Sequence, residues 1–127
     1  MGGGCLCGRV RYRVRGEPRS VVACHCLQCR KSSGHYVAAT QARRADIEIR
    51  GLAHVTWFQS SASAQRGFCA ICGSQLFWAE NSSDFMSVMA GTMDGVSGLR
   101  MDRQIHPDSK RDYCDLPHLP VIDQTAL

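Results

Sequence analysis

The spacing of the cysteines constrains this chain more than any other feature. Eight stand in 127 residues, and seven of them form three tight clusters: Cys5-Leu6-Cys7, Cys24-His25-Cys26-Leu27-Gln28-Cys29 and Cys69-Ala70-Ile71-Cys72. A disulfide within Cys-x-Cys is badly strained, because bridged residues tolerate only a narrow range of Cα separations. Thiols that converge on one point are what a soft cation requires. The compartment expected from the chain agrees. The first residues lack a basic stretch followed by an apolar one, so they do not read as a signal peptide. No run approaches the roughly 18 apolar residues that cross a bilayer. Asn81-Ser82-Ser83 then reads as a polar turn, not as a glycosylation site. The expectation is a cytoplasmic protein with reduced thiols.

Cys5 and Cys7, with Cys69 and Cys72 beyond a 61-residue stretch, can supply four thiolates to one tetrahedral zinc ion. Glycines stand where such knuckles turn, with Gly3, Gly4 and Gly8 around the first pair and Gly73 after the second. Residues i and i+2 of an extended strand lie about 7 Å apart, so Cys5 and Cys7 must occupy a tightened turn. Four protein ligands close a site to substrate, and its role is then structural. Cys24, Cys26 and Cys29 differ, because they offer three thiolates within six residues and no matching pair remains. A zinc with three protein ligands and an open fourth position is the catalytic pattern. His25, His35, His106 and Cys114 are the candidates to fill that position. If one does, the chain carries two structural staples and no catalytic ion. Either way, two zinc ions per chain are expected.

The length suits a single domain over residues 1–127, mainly β in class. Arg9 to Arg15 alternates strictly, with Val10, Tyr12 and Val14 on one face and arginines on the other, which is a half-buried strand. Val21–Ala23, Tyr36–Thr40, Ile47–Ile49, Val55–Gln59, Gln65–Phe68, Gln75–Ala79 and Phe85–Ala90 read as further short strands, separated by turn residues. Leu27 to Ser32 reads as one helical turn stopped by Gly34. Asp102 to Leu127, with Pro107, Pro117 and Pro120, reads as a loop-rich segment draped over the sheet.

Three thiolates leave zinc with a net charge of −1, so it acidifies bound water less than an ion held by neutral histidines. It still deprotonates a bound thiol. The chemistry that follows is an external thiolate adding to an electrophile such as an aldehyde carbon, or leaving it in reverse. Fifteen Lys+Arg against eleven Asp+Glu give a formal +4. Seven ionised cysteines and two zinc ions bring this to about +1. Net charge therefore does not favour a nucleic-acid partner. The Arg9/Arg11/Arg13/Arg15 stripe reads as the solvated face of its strand.

Together these motifs resemble the glutathione-dependent formaldehyde-activating enzyme family and its relative, the centromere protein V domain. The match runs through Gly4-Cys5-Leu6-Cys7-Gly8, Cys24-His25-Cys26-x-x-Cys29-Arg30-Lys31-x-x-Gly34 and Ser60-Ser61. It continues through Arg66-x-Phe68-Cys69-x-x-Cys72-Gly73-Ser74-x-Leu76 and Gly91-Thr92-Met93-Asp94, spanning about residues 3 to 117. The resemblance implies an Mss4-like β-tent of short antiparallel sheets stapled by zinc. It also implies structural zinc on Cys5, Cys7, Cys69 and Cys72, with catalytic zinc on Cys24, Cys26 and Cys29. The implied activity joins formaldehyde to glutathione, a carbon–sulfur lyase reaction written in reverse. Where the family often has His-Ile and a later Trp before Leu-Pro, this chain reads Gln104-Ile105 and Tyr113 before Leu116-Pro117.

The leading expectation is thus a zinc enzyme acting on a small aldehyde or its thiol adduct, with a thiol partner such as glutathione. His35 or His106 would move protons, and Arg30, Lys31 or Arg66 would bind a substrate carboxylate. The alternative is a non-catalytic, zinc-stabilised module that binds protein or nucleic acid.

Overall fold

The computed structural model describes all 127 residues. The alternating arginine segment forms β2 (Arg11–Val14), between β1 (Gly2–Gly4) and β5 (Ile47–Arg50), and both pairings are antiparallel. Val10, Tyr12 and Val14 are 0%, 4% and 1% exposed, as the alternation requires. β1 consists of three glycines, the residue type least suited to a strand. Its place depends on their small size: a Cβ on Gly3 would stand 2.4 Å from the Tyr12 hydroxyl oxygen.

The second sheet holds β3 (Val21–Cys24), β4 (Val37–Arg43), β6 (Val55–Gln59), β7 (Ala64–Cys69), β8 (Gln75–Glu80), β9 (Phe85–Met89) and β10 (Met101–Ile105). Their spatial order is β10-β3-β4-β9-β8-β7-β6. Every pairing is antiparallel except that of β10 with β3. The three-stranded sheet covers one face of this larger sheet. Tyr12, Val14 and Ile47 pack there against Phe77, Met86 and Val88. The Tyr12 and Phe77 rings meet edge-on with centroids 5.7 Å apart. The other face of the large sheet carries a cleft and the single α-helix, α1 (Leu27–Ser33). The Cys26 sulfur caps α1 by accepting from Cys29 N–H at 3.3 Å. Gly34, at φ 87°, ends it by donating to Arg30 C=O at 2.8 Å. No helix is long and apolar enough to cross a membrane.

Most strands lie within a few residues of their expected positions. The strand expected over Tyr36–Thr40 instead begins at Val37 and continues to Arg43. Two elements correct the sequence reading. β1 was hidden by its glycines. The segment from Asp102 is not all loop, because Met101–Ile105 is a strand at the edge of the large sheet. Only Gln104 and Ile105 of β10 are buried, so its pattern is polar, and its partner β3 lies some eighty positions earlier.

Candidate metal centres

The first cysteine pair turns after β1, and the second pair turns between β7 and β8. Gly8 and Gly73, at φ 82° and 78°, take the left-handed conformation that each knuckle needs after its second cysteine. Gly8 N–H donates to Cys5 C=O at 3.1 Å, and Gly73 N–H to Cys69 C=O at 2.8 Å. Leu6 N–H donates to Ser74 Oγ at 3.0 Å and ties one knuckle to the other. The tightened turn expected at Cys5-Leu6-Cys7 is present.

All four Sγ atoms lie within 4.8 Å of one another. Cys5 and Cys7 sulfurs are 3.5 Å apart, and those of Cys7 and Cys69 3.7 Å. Metal–sulfur bonds of about 2.3 Å set the corners of a tetrahedron about 3.8 Å apart. The sulfurs therefore already stand at the edge length of a four-thiolate site. Hydrogen bonding from Ser74 leads the effects that push the Cys72 thiol down to about 5. A ligand that is already ionised near neutral pH needs no costly deprotonation to bind metal.

The second cluster sits where β3 ends and α1 begins. Cys24 closes the strand, Cys26 caps the helix and Cys29 lies in its first turn. Their Sγ atoms also lie within 4.8 Å of one another. Hydrogen bonds from Cys24 and then Cys29 pull Cys26 far below the usual thiol range, helped by Arg66. Contacts with Cys26 and Cys29, together with burial, push Cys24 far above it. A metal bound there would displace the remaining thiol protons.

No fourth His, Cys, Asp or Glu joins the trio. His25 is 1% exposed, and its Nε2 faces Gln104 Oε1 at 3.0 Å. Burial lowers the basicity of that ring. His106 lines the same cleft, but its Nε2 meets Gln124 Oε1 at 2.6 Å. Cys114 is buried apart from both clusters. His35 is exposed beside Tyr36 and Tyr113, with ring centroids 4.3 and 6.1 Å away, and does not line the cleft. Arg30 and Lys31 do not line it either.

Arg66 does, and it is 7% exposed. Its Nη1 and Nη2 approach Cys29 Sγ at 3.8 and 3.7 Å, and Nη2 also donates to Gln28 Oε1 at 3.3 Å. Its Nε is buried without a partner. No carboxylate neutralises this guanidinium, so its charge is set against the thiolates.

The trio opens into a cleft of about 760 Å³. Register builds part of its floor: Arg66 pairs with Trp78, Trp78 with Ser87 and Ser87 with Gln41 across β7, β8, β9 and β4. Gln124, Thr125 and Leu127 of the C-terminal segment line it as well. Trp78, Ser87 and Gln41 were not singled out from sequence. The available signal was strand alternation combined with the sheet order, and that order is a tertiary fact.

Two cysteine clusters on a two-sheet β scaffold, one of four thiols and one of three opening onto a cleft, define a mainly β protein with two sites that could hold metal. The chain belongs to the family described as glutathione-dependent formaldehyde-activating enzyme, which it matches over residues 1–115. Among its relatives is a Schizosaccharomyces pombe protein named as an uncharacterized lyase. That protein is 28% identical over 115 residues, which are 89% of this chain and 82% of the relative. A Halomonas elongata protein, named as a candidate glutathione-dependent formaldehyde-activating enzyme, is 29% identical over 100 residues, or 68% of this chain and 64% of its own length. A crystal structure of a Rhodobacter sphaeroides protein matches with a TM-score of 0.63 at 26% identity, covering 96% of this chain and 100% of that one. The mainly β, Mss4-like architecture expected from the motifs agrees with the two sheets.

Proposed function

We propose that this chain is a zinc-dependent carbon–sulfur lyase-type enzyme acting on a small aldehyde or its thiol adduct, with formaldehyde and glutathione as the type pair. One observation carries the reading: the sulfurs of Cys24, Cys26 and Cys29 open onto a cleft with no fourth protein ligand. An all-thiolate donor set suits zinc, and Cys5, Cys7, Cys69 and Cys72 would hold a second, structural ion. Bound at the trio, zinc would lower the pKa of an incoming thiol and keep it ionised. In the synthetic direction the thiol sulfur bonds to the aldehyde carbon, the carbonyl π pair moves to oxygen, and the thiol proton ends on that oxygen. The reverse direction breaks the carbon–sulfur bond.

The chain's own residues supply charge and proton handling. Arg66 lines the cleft and sets its guanidinium charge against the negative thiolates. We assign proton movement to His106 rather than His35. His106 lines the cleft and follows Ile105, which pairs with Cys24, whereas His35 lies outside. The cleft far exceeds the volume of formaldehyde, which supports a larger thiol partner.

Mixing the zinc-loaded protein with glutathione and formaldehyde, and following adduct formation by NMR exchange, tests the reading. Acceleration over the uncatalysed reaction is expected. It should fall at least a hundredfold in Cys24→Ser, which should retain one of two zinc ions and an unchanged circular dichroism spectrum. No acceleration by a protein carrying both ions would sink this reading and leave a zinc-stapled binding module.

A further inference from the structure

Gln104 is a buried polar side chain with both amide donors engaged, and the proposed chemistry leaves it unused. It is 5% exposed on β10. Its amide nitrogen donates to Leu116 C=O at 3.0 Å and to Leu119 C=O at 2.7 Å. Both donors are then spent, and the amide cannot be flipped without setting an oxygen against two carbonyls. The oxygen must face His25, and His25 Nε2, 3.0 Å away, must carry the proton. The backbone of Gln104 is committed too. Its N–H donates to Pro120 C=O at 3.0 Å, and its C=O accepts from Ile122 N–H at 3.0 Å.

These bonds join two parts of the molecule that the sequence holds far apart. On one side lies the C-terminal segment, whose Gln124, Thr125 and Leu127 line the cleft. On the other lies His25, set between the ligands Cys24 and Cys26. His25 is fixed further by its own N–H, which donates to Ile105 C=O at 3.1 Å, and by the Tyr36 ring, edge-on at 5.5 Å. A buried glutamine with every donor paired is costly to disturb, because each freed group is stranded away from water.

We propose that Gln104 is a positioning residue: its side-chain amide ties the Leu116 and Leu119 carbonyls to His25, so that one side chain anchors both the run leading to the cleft-lining Gln124, Thr125 and Leu127 and the spacing of the Cys24/Cys26/Cys29 trio. The latch acts on metal retention and on access to the cleft, not on the reacting atoms. His106 and Gln124 repeat the pairing nearer the solvent.

The test uses the zinc-loaded protein and Gln104→Met, which keeps the volume and removes the side-chain hydrogen bonds. Amide exchange at Leu119, whose N–H donates to the Leu116 C=O that the Gln104 amide also holds, is expected to quicken at least tenfold. One of two zinc ions should pass to a chelator at least tenfold faster, while the other leaves at the wild-type rate. Nitrogen NMR of the His25 ring should report the Nε2–H form in wild type and its loss in the variant. Loosening of the C-terminal segment with zinc release and the His25 ring unchanged would overturn the proposal, since Gln104 would then serve only the segment. If Gln104→Met does not fold, the wild-type protein decides: a His25 ring protonated on Nδ1, or Gln104 side-chain protons that exchange like solvated ones, would equally overturn it. The metal arm rests on zinc at the trio, whereas the ring and exchange readouts stand without it. A failed activity assay is therefore distinguishable from a failed latch.

Discussion

Arg66 is a buried charge set beside a cluster that could hold metal. Its guanidinium faces Cys29 Sγ and no carboxylate, so removing it leaves a net negative cluster uncompensated. Groups that orient or balance metal ligands typically matter by about 10- to 100-fold in affinity. Arg66→Met is therefore expected to weaken metal binding at the trio by that factor and leave the four-cysteine site unchanged, which competition with a metal indicator would measure. A second residue-scale prediction concerns Asp94. The Arg11 guanidinium beside it holds its carboxyl below the usual carboxylate range. A depressed carboxyl stabilises the fold above its unfolded pKa of about 3.9 and loses that contribution as pH falls through the lower, folded value. Asp94→Asn should thus lower the melting temperature slightly near pH 7, with the difference vanishing in strong acid and shrinking in salt, because both partners are exposed. The convergence of seven cysteines into two clusters that could hold metal was legible from spacing, because such clusters impose local geometry on the chain. Arg66 was legible as a cation, but its contact with Cys29, 37 positions away, was not. His35 and His106 looked equivalent in sequence. Only the pairing of β10 with β3 brings one of them to the cleft.

Elements were readable where a local rule suffices. The β2 alternation and the glycine that ends α1 both act within a few residues. β1 and β10 were not readable, because each is held by a partner it cannot specify locally. β1 relies on the Tyr12 ring passing over Gly3, and β10 relies on a parallel neighbour. Glycines test this view, because identical substitutions should differ by what surrounds them. Gly34, at φ 87°, has open space where a Cβ would go, so Gly34→Ala should cost only the left-handed penalty of about 1–2 kcal/mol. Gly51, at φ 78°, would put its Cβ 1.9 Å from Arg9 C=O, across the approach of β5 to the chain before β2. Gly51→Ala must therefore also move backbone, and is expected to destabilise by clearly more than Gly34→Ala. Urea unfolding of the two variants side by side gives the comparison, and equal costs would refute it.

The molecule places its two metal sites so that they answer to different demands. Cys5 and Cys69 belong to the main core, at 6% and 0% exposure, among the side chains that join the two sheets. Their site fastens the turn after β1 to the β7–β8 hairpin, closing a loop of more than sixty residues. The trio lies on the opposite face, beside the cleft, and packs with Val37, Ala39 and Met89 in a small cluster of its own. Apparent binding energies for structural zinc reach about 10–16 kcal/mol, while a whole domain is stable by only about 5–15 kcal/mol. A zinc ion at the core site would therefore carry an energy comparable to the entire fold, and one at the trio need not. Metal removal should proceed in two steps. A mild chelator is expected to strip the trio first, ending activity with the near-ultraviolet spectrum intact. A stronger chelator, or Cys69→Ser, should remove the second ion and abolish the cooperative melting transition, whereas Cys24→Ser should shift that transition by no more than a few degrees. Following zinc release, activity and circular dichroism in one titration tests the order. If both ions left together, or if Cys24→Ser unfolded the chain as Cys69→Ser does, the trio would be a second staple, and its open corner would have no catalytic meaning.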